Sequence, residues 1–288
     1  MAQIFFDAIG KDSFFVLFKM VITSRQNSKV AFVAKLAEKK YRKAFGKYVI
    51  EGERLVKDAL LHGAQVTELY LNRTLCEKLG LNDEPCVADV CDALNFASDV
   101  DAQVFVTSDD VFAKMSDTVN SQGVIAVADL PENNHGAPKG NCLVLDGLQD
   151  PGNVGTLIRT AAACGFSDVF AVNSVDLYSP KVLRSAMSAH FCVKLQQFDD
   201  ISVAWKYLSD TEIVAADMNG QNVAFAEFSR SVALVVGNEG NGISDFCRTN
   251  ADKIVSLPMK NDFESLNAGV AGSVLMYQIF LKQANFSK

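Results

Sequence analysis

In Val235-Val-Gly-Asn-Glu-Gly-Asn-Gly-Ile-Ser244 an apolar, strand-forming run drives into a glycine-rich turn. Such a junction invites a dinucleotide-binding loop, but the spacing refuses it. The glycines at 237, 240 and 242 read GxxGxG, with Glu239 where the middle glycine should stand. An acid there repels a pyrophosphate, and the 46 residues after Gly242 are too few for the second half of that fold. No Walker A loop is present either. A glycine turn with a central acid suits a neutral or cationic ligand lying close to backbone.

Working outward, short apolar runs at 142–145, 169–172, 212–216, 232–236 and 253–257 predict buried parallel strands. Helical patterns fall between them at 154–164, 180–189, 201–208 and 242–248, and a long apolar helix closes the chain at 267–282. The fold class is therefore α/β with a parallel sheet. Upstream, the Pro-, Gly- and Asn-rich stretch 131–141 reads as a linker. Before it, helices are expected at 28–43, 53–62 and 109–115 and strands at 48–50, 66–71, 103–106 and 123–128, a small α/β domain. The organisation expected is an extension at 1–19, a first domain at 20–130, the linker 131–141 and a second domain at 142–288.

Two further segments carry chemistry. In Leu145-Asp-Gly-Leu-Gln-Asp-Pro-Gly-Asn-Val-Gly-Thr-Leu-Ile-Arg-Thr160 a strand, a polar turn and a helix follow one another. Asn153 is a good helix cap, and the free N–H groups of a first helical turn bind phosphate. Arg159 interrupts an apolar run, so it either forms a structural ion pair or points into a cleft. In Ile254-Val-Ser-Leu-Pro-Met-Lys-Asn-Asp-Phe-Glu-Ser-Leu-Asn-Ala-Gly-Val-Ala271 the strand stops at Pro258, and Ser265 and Asn267 bracket the start of the last helix, where capping alone explains either.

Composition bounds the rest. Of 288 residues 49% are hydrophobic and 21% charged, enough for a sizeable core. No apolar run is long enough to span a bilayer, and Met1–Met20, broken by Asp7, Lys11 and Asp12, lacks the order of a signal peptide. Seven cysteines without CxxC spacing and three histidines argue against a metal site and fit a reducing cytoplasm. The net charge is −7, yet residues 20–60 hold ten Lys/Arg against four acids, a local +6 that leaves −13 for the remainder. By itself such a basic run reads as a solvated helix face; the alternative is an RNA contact, through Arg25, Lys29, Lys39, Lys40, Arg42, Lys43 and Arg54.

Taken in order, Asp-Pro-Gly-Asn-Val-Gly…Arg-Thr, then Gly-Asn-Glu-Gly-Asn-Gly, then Leu-Pro-Met…Ser-Leu-Asn resembles the three motifs of the SpoU family of RNA ribose methyltransferases, of the SPOUT class. The likeness covers 142–288, and 28–130, with Tyr48-Val-Ile-Glu-Gly52, resembles the L30e-like substrate-binding domain that often precedes it. The resemblance implies a deep trefoil knot, a homodimer through the knot face with no membrane, and S-adenosylmethionine held mostly by backbone. By position Gly237, Asn238, Gly240, Gly242, Leu257, Met259 and Leu266 would form the cofactor site, and Asn153, Arg159, Glu239, Ser265 and Asn267 the catalytic set, with Glu239 holding the Arg159 guanidinium. Ala268 and Gly269 stand where the pattern has Val and a second Ser, which spares Ser265 and Asn267. The expected function is methylation of a ribose 2′-hydroxyl, in ribosomal rather than transfer RNA. The alternatives are a tRNA 2′-O-methyltransferase and a non-catalytic RNA-binding or ribosome-assembly protein.

Overall fold

The computed structural model describes residues 21–95, 100–260 and 265–284; the expected extension 1–19 lies outside them. The first half contains α1 (Ser28–Lys35), α2 (Lys39–Phe45), β1 (Lys47–Glu51), α3 (Glu53–Leu61), β2 (Val66–Asn72), α4 (Arg73–Leu79), α5 (Val87–Ala93), β3 (Gln103–Thr107), α6 (Asp109–Met115) and β4 (Val124–Asp129). Its four strands run in the order β1-β4-β2-β3, antiparallel except for the β2–β3 pair. The single helix expected over 28–43 is two. The chain breaks where Leu36 buries itself, and the Leu36 and Ala37 carbonyls freed by the break accept from Arg42 Nη1 at 2.7 and 2.6 Å. The helices α4 and α5 were not expected.

The second half contains β5 (Cys142–Asp146), α7 (Pro151–Ala163), β6 (Asp168–Val172), α8 (Pro180–Ala186), β7 (Lys194–Phe198), α9 (Ile201–Trp205), β8 (Glu212–Asn222), β9 (Val232–Gly237), α10 (Asp245–Asn250), β10 (Lys253–Ser256) and α11 (Ala268–Ala284). All six strands are parallel, in the order β10-β8-β9-β5-β6-β7. Strand β7 was not expected. It is one of the two edge strands, and 131–141 straps it. Asn133 exchanges bonds with the Gln197 backbone, Gly136 exchanges bonds with the Gln196 side chain, and His135 stacks on Phe198 with centroids 4.1 Å apart. The expected linker thus covers backbone groups that would otherwise stand open to another strand.

One core runs through both halves. Tyr48 of β1 meets Tyr178 edge to face at 4.9 Å. Arg42, 2% exposed, reaches Asp176 across the junction with Nη2 at 2.6 Å. Helix α11 divides by face. Leu275, Met276 and Ile279 are buried against the second half, each worth about 1.5–3 kcal/mol. Val270, Val274, Tyr277, Phe280 and Leu281 point outward.

The connections of β5 lead towards β6 and β7, while those of β9 lead towards β8 and β10. The carboxyl ends of β5 and β9 therefore flank the topological switch point, where parallel α/β sheets open a crevice.

Candidate active site

Asp146 ends β5 and Gly237 ends β9, side by side in register. The loops beyond them are tied together. Asn238 Nδ2 donates to Gly147 O at 2.8 Å, and Ser244 N donates to Asp146 Oδ2 at 2.7 Å. The glycine turn closes on itself through Asn238 and Gly242, each N–H donating to the other's carbonyl at 2.9 Å. A methyl group at Gly237 would lie 2.2 Å from the backbone of Gly242 and Ile243, so the fold of the turn itself requires glycine there.

Helix α7 starts one turn earlier than its pattern suggested. Pro151 occupies its first position, and Asp150, not Asn153, caps it by accepting from Asn153 N at 2.8 Å. This frees the Asn153 side chain, which donates from Nδ2 to Glu239 Oε1 at 3.1 Å. The Glu239 carboxylate also accepts from the backbone N–H groups of Gln149 and Asp150, at 3.4 and 3.3 Å. Burial would raise the Glu239 pKa, but the bonds from Asn153 and the backbone amides outweigh it and hold the acid below its ordinary value.

The expected pairing of Glu239 with Arg159 is not what the structure shows. Glu239 takes its donors from the loop before α7 and from its first turn, whereas Arg159 lies six residues beyond Asn153, about 9 Å along the axis. Arg159 is exposed and has no ion pair among the described residues. On the other side of Asn153 stands the start of α11. A methyl group at Gly269 would sit 3.0 Å from Asn153 Oδ1 and 3.1 Å from Asn267 Oδ1, so these two side chains flank one glycine. Asn267 caps α11 by accepting from Val270 N at 3.2 Å.

Beside this cluster an open cleft is lined by Ala216, Asp217, Met218, Val255, Ser256, Leu257, Met259, Ser265, Leu266, Ala271 and Leu275. Leu257, Met259, Leu266 and Ser265 were expected at such a site. Gly237, Asn238, Gly240 and Gly242 form the neighbouring turn and do not line it. The contribution of β8 was missed. Its Asp217 side chain is only 8% exposed and accepts from Arg248 Nη1 at 2.7 Å and from Asn219 N at 2.9 Å. Nothing in the sequence links positions 31 apart in this way.

Of the expected RNA contacts, Arg42 is withdrawn, because it is buried in the junction between the halves. Lys29 pairs with Glu68, Lys40 with Glu38 and Arg54 with Asp58. Lys39 and Lys43 are exposed and make no ion pair among the described residues. Among those residues no group of His, Cys, Asp and Glu could hold a metal, and no helix is long and apolar enough to cross a membrane.

Residues 140–277 match the SpoU rRNA methylase family, and residues 27–126 match the MRM3-like substrate binding domain. A 23S rRNA (guanosine 2′-O) methyltransferase of Bacillus subtilis is 31% identical over 263 residues, covering 90% of this chain and 98% of the relative. The chain belongs to the SpoU rRNA methylase family. A Synechocystis relative named as a tRNA/rRNA methyltransferase is also 31% identical, over 89% of this chain and 92% of its own. Among solved structures, an RNA 2′-O ribose methyltransferase superposes with a TM-score of 0.73 at 28% identity, covering 92% of this chain and all of its own. A TrmH-family RNA methyltransferase from Porphyromonas gingivalis gives 0.74 at 27% identity, over 88% of this chain and 97% of its own. The region matched to the SpoU family contains the cluster at the switch point and the cleft next to it.

Proposed function

We propose that this SpoU protein transfers the methyl group of S-adenosylmethionine to a ribose 2′-hydroxyl of ribosomal RNA. The observation that carries the reading is the convergence of Glu239, Asn153 and Asn267 at the switch point, against a cleft bearing Ser265, Leu257, Met259 and Leu266. The residues fit the cofactor. An apolar slot of leucines and methionines at the ends of β8 and β10 suits an adenine ring, and the adjoining glycine turn brings backbone close. Bound there, S-adenosylmethionine supplies an electrophilic methyl group, while the protein supplies orientation.

The acceptor hydroxyl has a pKa far above 7, so its proton would pass to solvent water as the methyl group is transferred to its oxygen. Arg159, exposed on α7 and without an ion pair among the described residues, would clamp the phosphate beside the target ribose and stabilise the developing alkoxide. It has no role as the base, because a guanidinium carries no free lone pair. Glu239 and Asn153 fix the loop 147–150 and the start of α7. Ser265 and Asn267 orient the ribose. The exposed Lys39 and Lys43, with Arg25, hold the RNA.

The same reading makes the protein a cytoplasmic homodimer with the trefoil knot implied by the resemblance. It is supported by the outward apolar stripe of α11, Val270, Val274, Tyr277 and Leu281, which a second copy would cover, and by the return of the chain from β10 at the sheet edge to α11 over β9. Radiolabel transfer from S-adenosylmethionine to total RNA tests it. Label in rRNA, mapped to a 2′-O-methyl site lost in a deletion strain, is expected; label confined to tRNA would correct the substrate, and none in any RNA would sink the reading.

A further inference from the structure

Phe45 ends α2 with 48% of its surface exposed, at the centre of the most cationic stretch of the chain. Its ring is held in place by its neighbours. Phe32 of α1 meets it edge-on at 5.1 Å, and Tyr41, one turn earlier, lies nearly parallel to it at 6.2 Å with 12° between planes. Lys35 and Lys40 set their ammonium groups over the Tyr41 ring, at 5.6 and 4.7 Å. Lys35, Lys39 and Lys43 have no acidic partner among the described residues. An exposed aromatic cluster on a helix that also carries Lys39 and Lys43, neither ion-paired among the described residues, matches a ligand that is both planar and anionic.

We propose that Phe45, backed by Tyr41 and Phe32, is a stacking platform for an unpaired base of the RNA substrate, with Lys39 and Lys43 taking the flanking phosphates. The proposal rests on the reading that RNA is the substrate. A paired base keeps both faces inside its helix, so the platform selects single-stranded or looped RNA.

The platform is also fixed relative to the active site. Arg42, on the same helix, donates from Nε and Nη2 to Asp176 Oδ2 at 3.0 and 2.6 Å. Asp176 follows β6 in a loop bonded to the loop 147–150, with Val175 N donating to Leu148 O and Gln149 Nε2 to Asn173 O, both at 2.8 Å. Glu239 holds the amides of that same loop 147–150. A base stacked on Phe45 is thus tied through three short links to the rim where the target ribose sits.

Fluorescence anisotropy with labelled oligoadenylate and with an RNA duplex of equal charge tests the platform. Phe45→Ala is expected to weaken oligoadenylate binding about 10-fold, within the roughly 1–3 kcal/mol of one stacked base, and to leave duplex binding unchanged. Phe45→Trp restores it. Lys39→Ala and Lys43→Ala each flatten the salt dependence, by about 0.7 in log–log slope, which Phe45→Ala does not. Unaltered oligoadenylate binding by Phe45→Ala, or an equal loss on both probes, overturns the platform. Wild-type protein that methylates RNA while Phe45→Ala binds normally overturns the platform alone. Wild-type protein that binds RNA through Phe45 but transfers no methyl group overturns the methyltransferase reading alone.

Discussion

Asn153 and Glu239, 86 residues apart, share a hydrogen bond of 3.1 Å that closes the first turn of α7 onto the glycine turn after β9. With the Gln149 and Asp150 amides on the same carboxylate, Glu239 acts as the staple of the loop 147–150. Glu239→Gln keeps the size but turns half of the acceptor into a donor, facing donors. We expect kcat/KM to fall roughly 100-fold, as when one preorganised group is lost. Asn153→Ala falls similarly, and the double variant little further, because the two act as a unit. Since the Glu239 pKa is depressed, its charge is complete above the ordinary carboxylate range and is lost only as pH falls through the lower value. The rate between pH 6 and 8 therefore carries no inflection from Glu239; an inflection there that Glu239→Gln abolishes would contradict this role.

Arg159 is exposed and unpaired among the described residues, so its removal should cost function and not fold. For Arg159→Ala the unfolding free energy is expected to move by less than about 0.5 kcal/mol and S-adenosylmethionine affinity to stay, while kcat drops about 100-fold or more. Arg159→Lys keeps the charge and loses the planar fork. Turnover near wild type in the lysine variant would rule out a bidentate phosphate clamp.

Local signals in the sequence were legible and distant ones were not. Five strands of the parallel sheet show as apolar runs, and three of them, β5, β6 and β9, are buried on both faces. Strand β7, Lys-Leu-Gln-Gln-Phe, escapes that test because an edge strand covered by 131–141 can stay polar. The helix expected over 28–43 contains no glycine or proline to mark its break, which depends on Arg42 reaching back to the Leu36 and Ala37 carbonyls. In sequence Arg42 is one more cation in a basic run; only the tertiary partner Asp176, 134 residues away, reveals that it is structural. The motifs lie on three distant segments, and the structure brings their Asn153, Glu239 and Asn267 together, yet the specific partner of Glu239 depended on which residue caps α7.

Two glycines separate the turn from the helix crossing. At Gly237 an added methyl meets immovable backbone at 2.2 Å, so Gly237→Ala should distort the turn and abolish S-adenosylmethionine binding in calorimetry. At Gly272, on the buried face of α11, it meets Leu157 Cδ2 at 2.5 Å and Val236 Cγ2 at 3.0 Å, both side-chain ends that can give. Gly272→Ala should cost about 1–3 kcal/mol in urea unfolding through overpacking, with residual cofactor binding. Equal effects from the two substitutions would mean that turn and crossing are not separate devices.

The Arg42–Asp176 pair is almost wholly removed from water. Arg42→Ala leaves Asp176 without its buried cation, and a loss of about 3–5 kcal/mol in urea unfolding is expected. Arg42→Met combined with Asp176→Leu removes both charges and should recover most of that loss. If the double variant is as unstable as the single one, the pair's geometry rather than its charge balance holds the halves together.

His190 lies at the same junction, 3% exposed, with both ring nitrogens unpartnered among the described residues and Tyr178 and Phe191 edge-on at 5.0 and 5.5 Å. Burial lowers its pKa to about 3, against the opposing pull of Asp176. Unfolded, the imidazole titrates near about 6.5. Between about 6.5 and 3 the unfolded chain therefore binds a proton that the folded one refuses, so stability falls as pH drops, by up to about 1.4 kcal/mol per pH unit. Above 6.5 neither state is protonated and the group has no effect. From pH 7.5 to 5 this predicts a loss of about 2 kcal/mol. His190→Phe keeps a ring between the aromatic neighbours and has nothing to titrate, so urea midpoints of wild type and variant should diverge as pH falls through 6.5. Parallel midpoints down to pH 5 would show that the ring takes up its proton in the folded state and that the junction admits water around it.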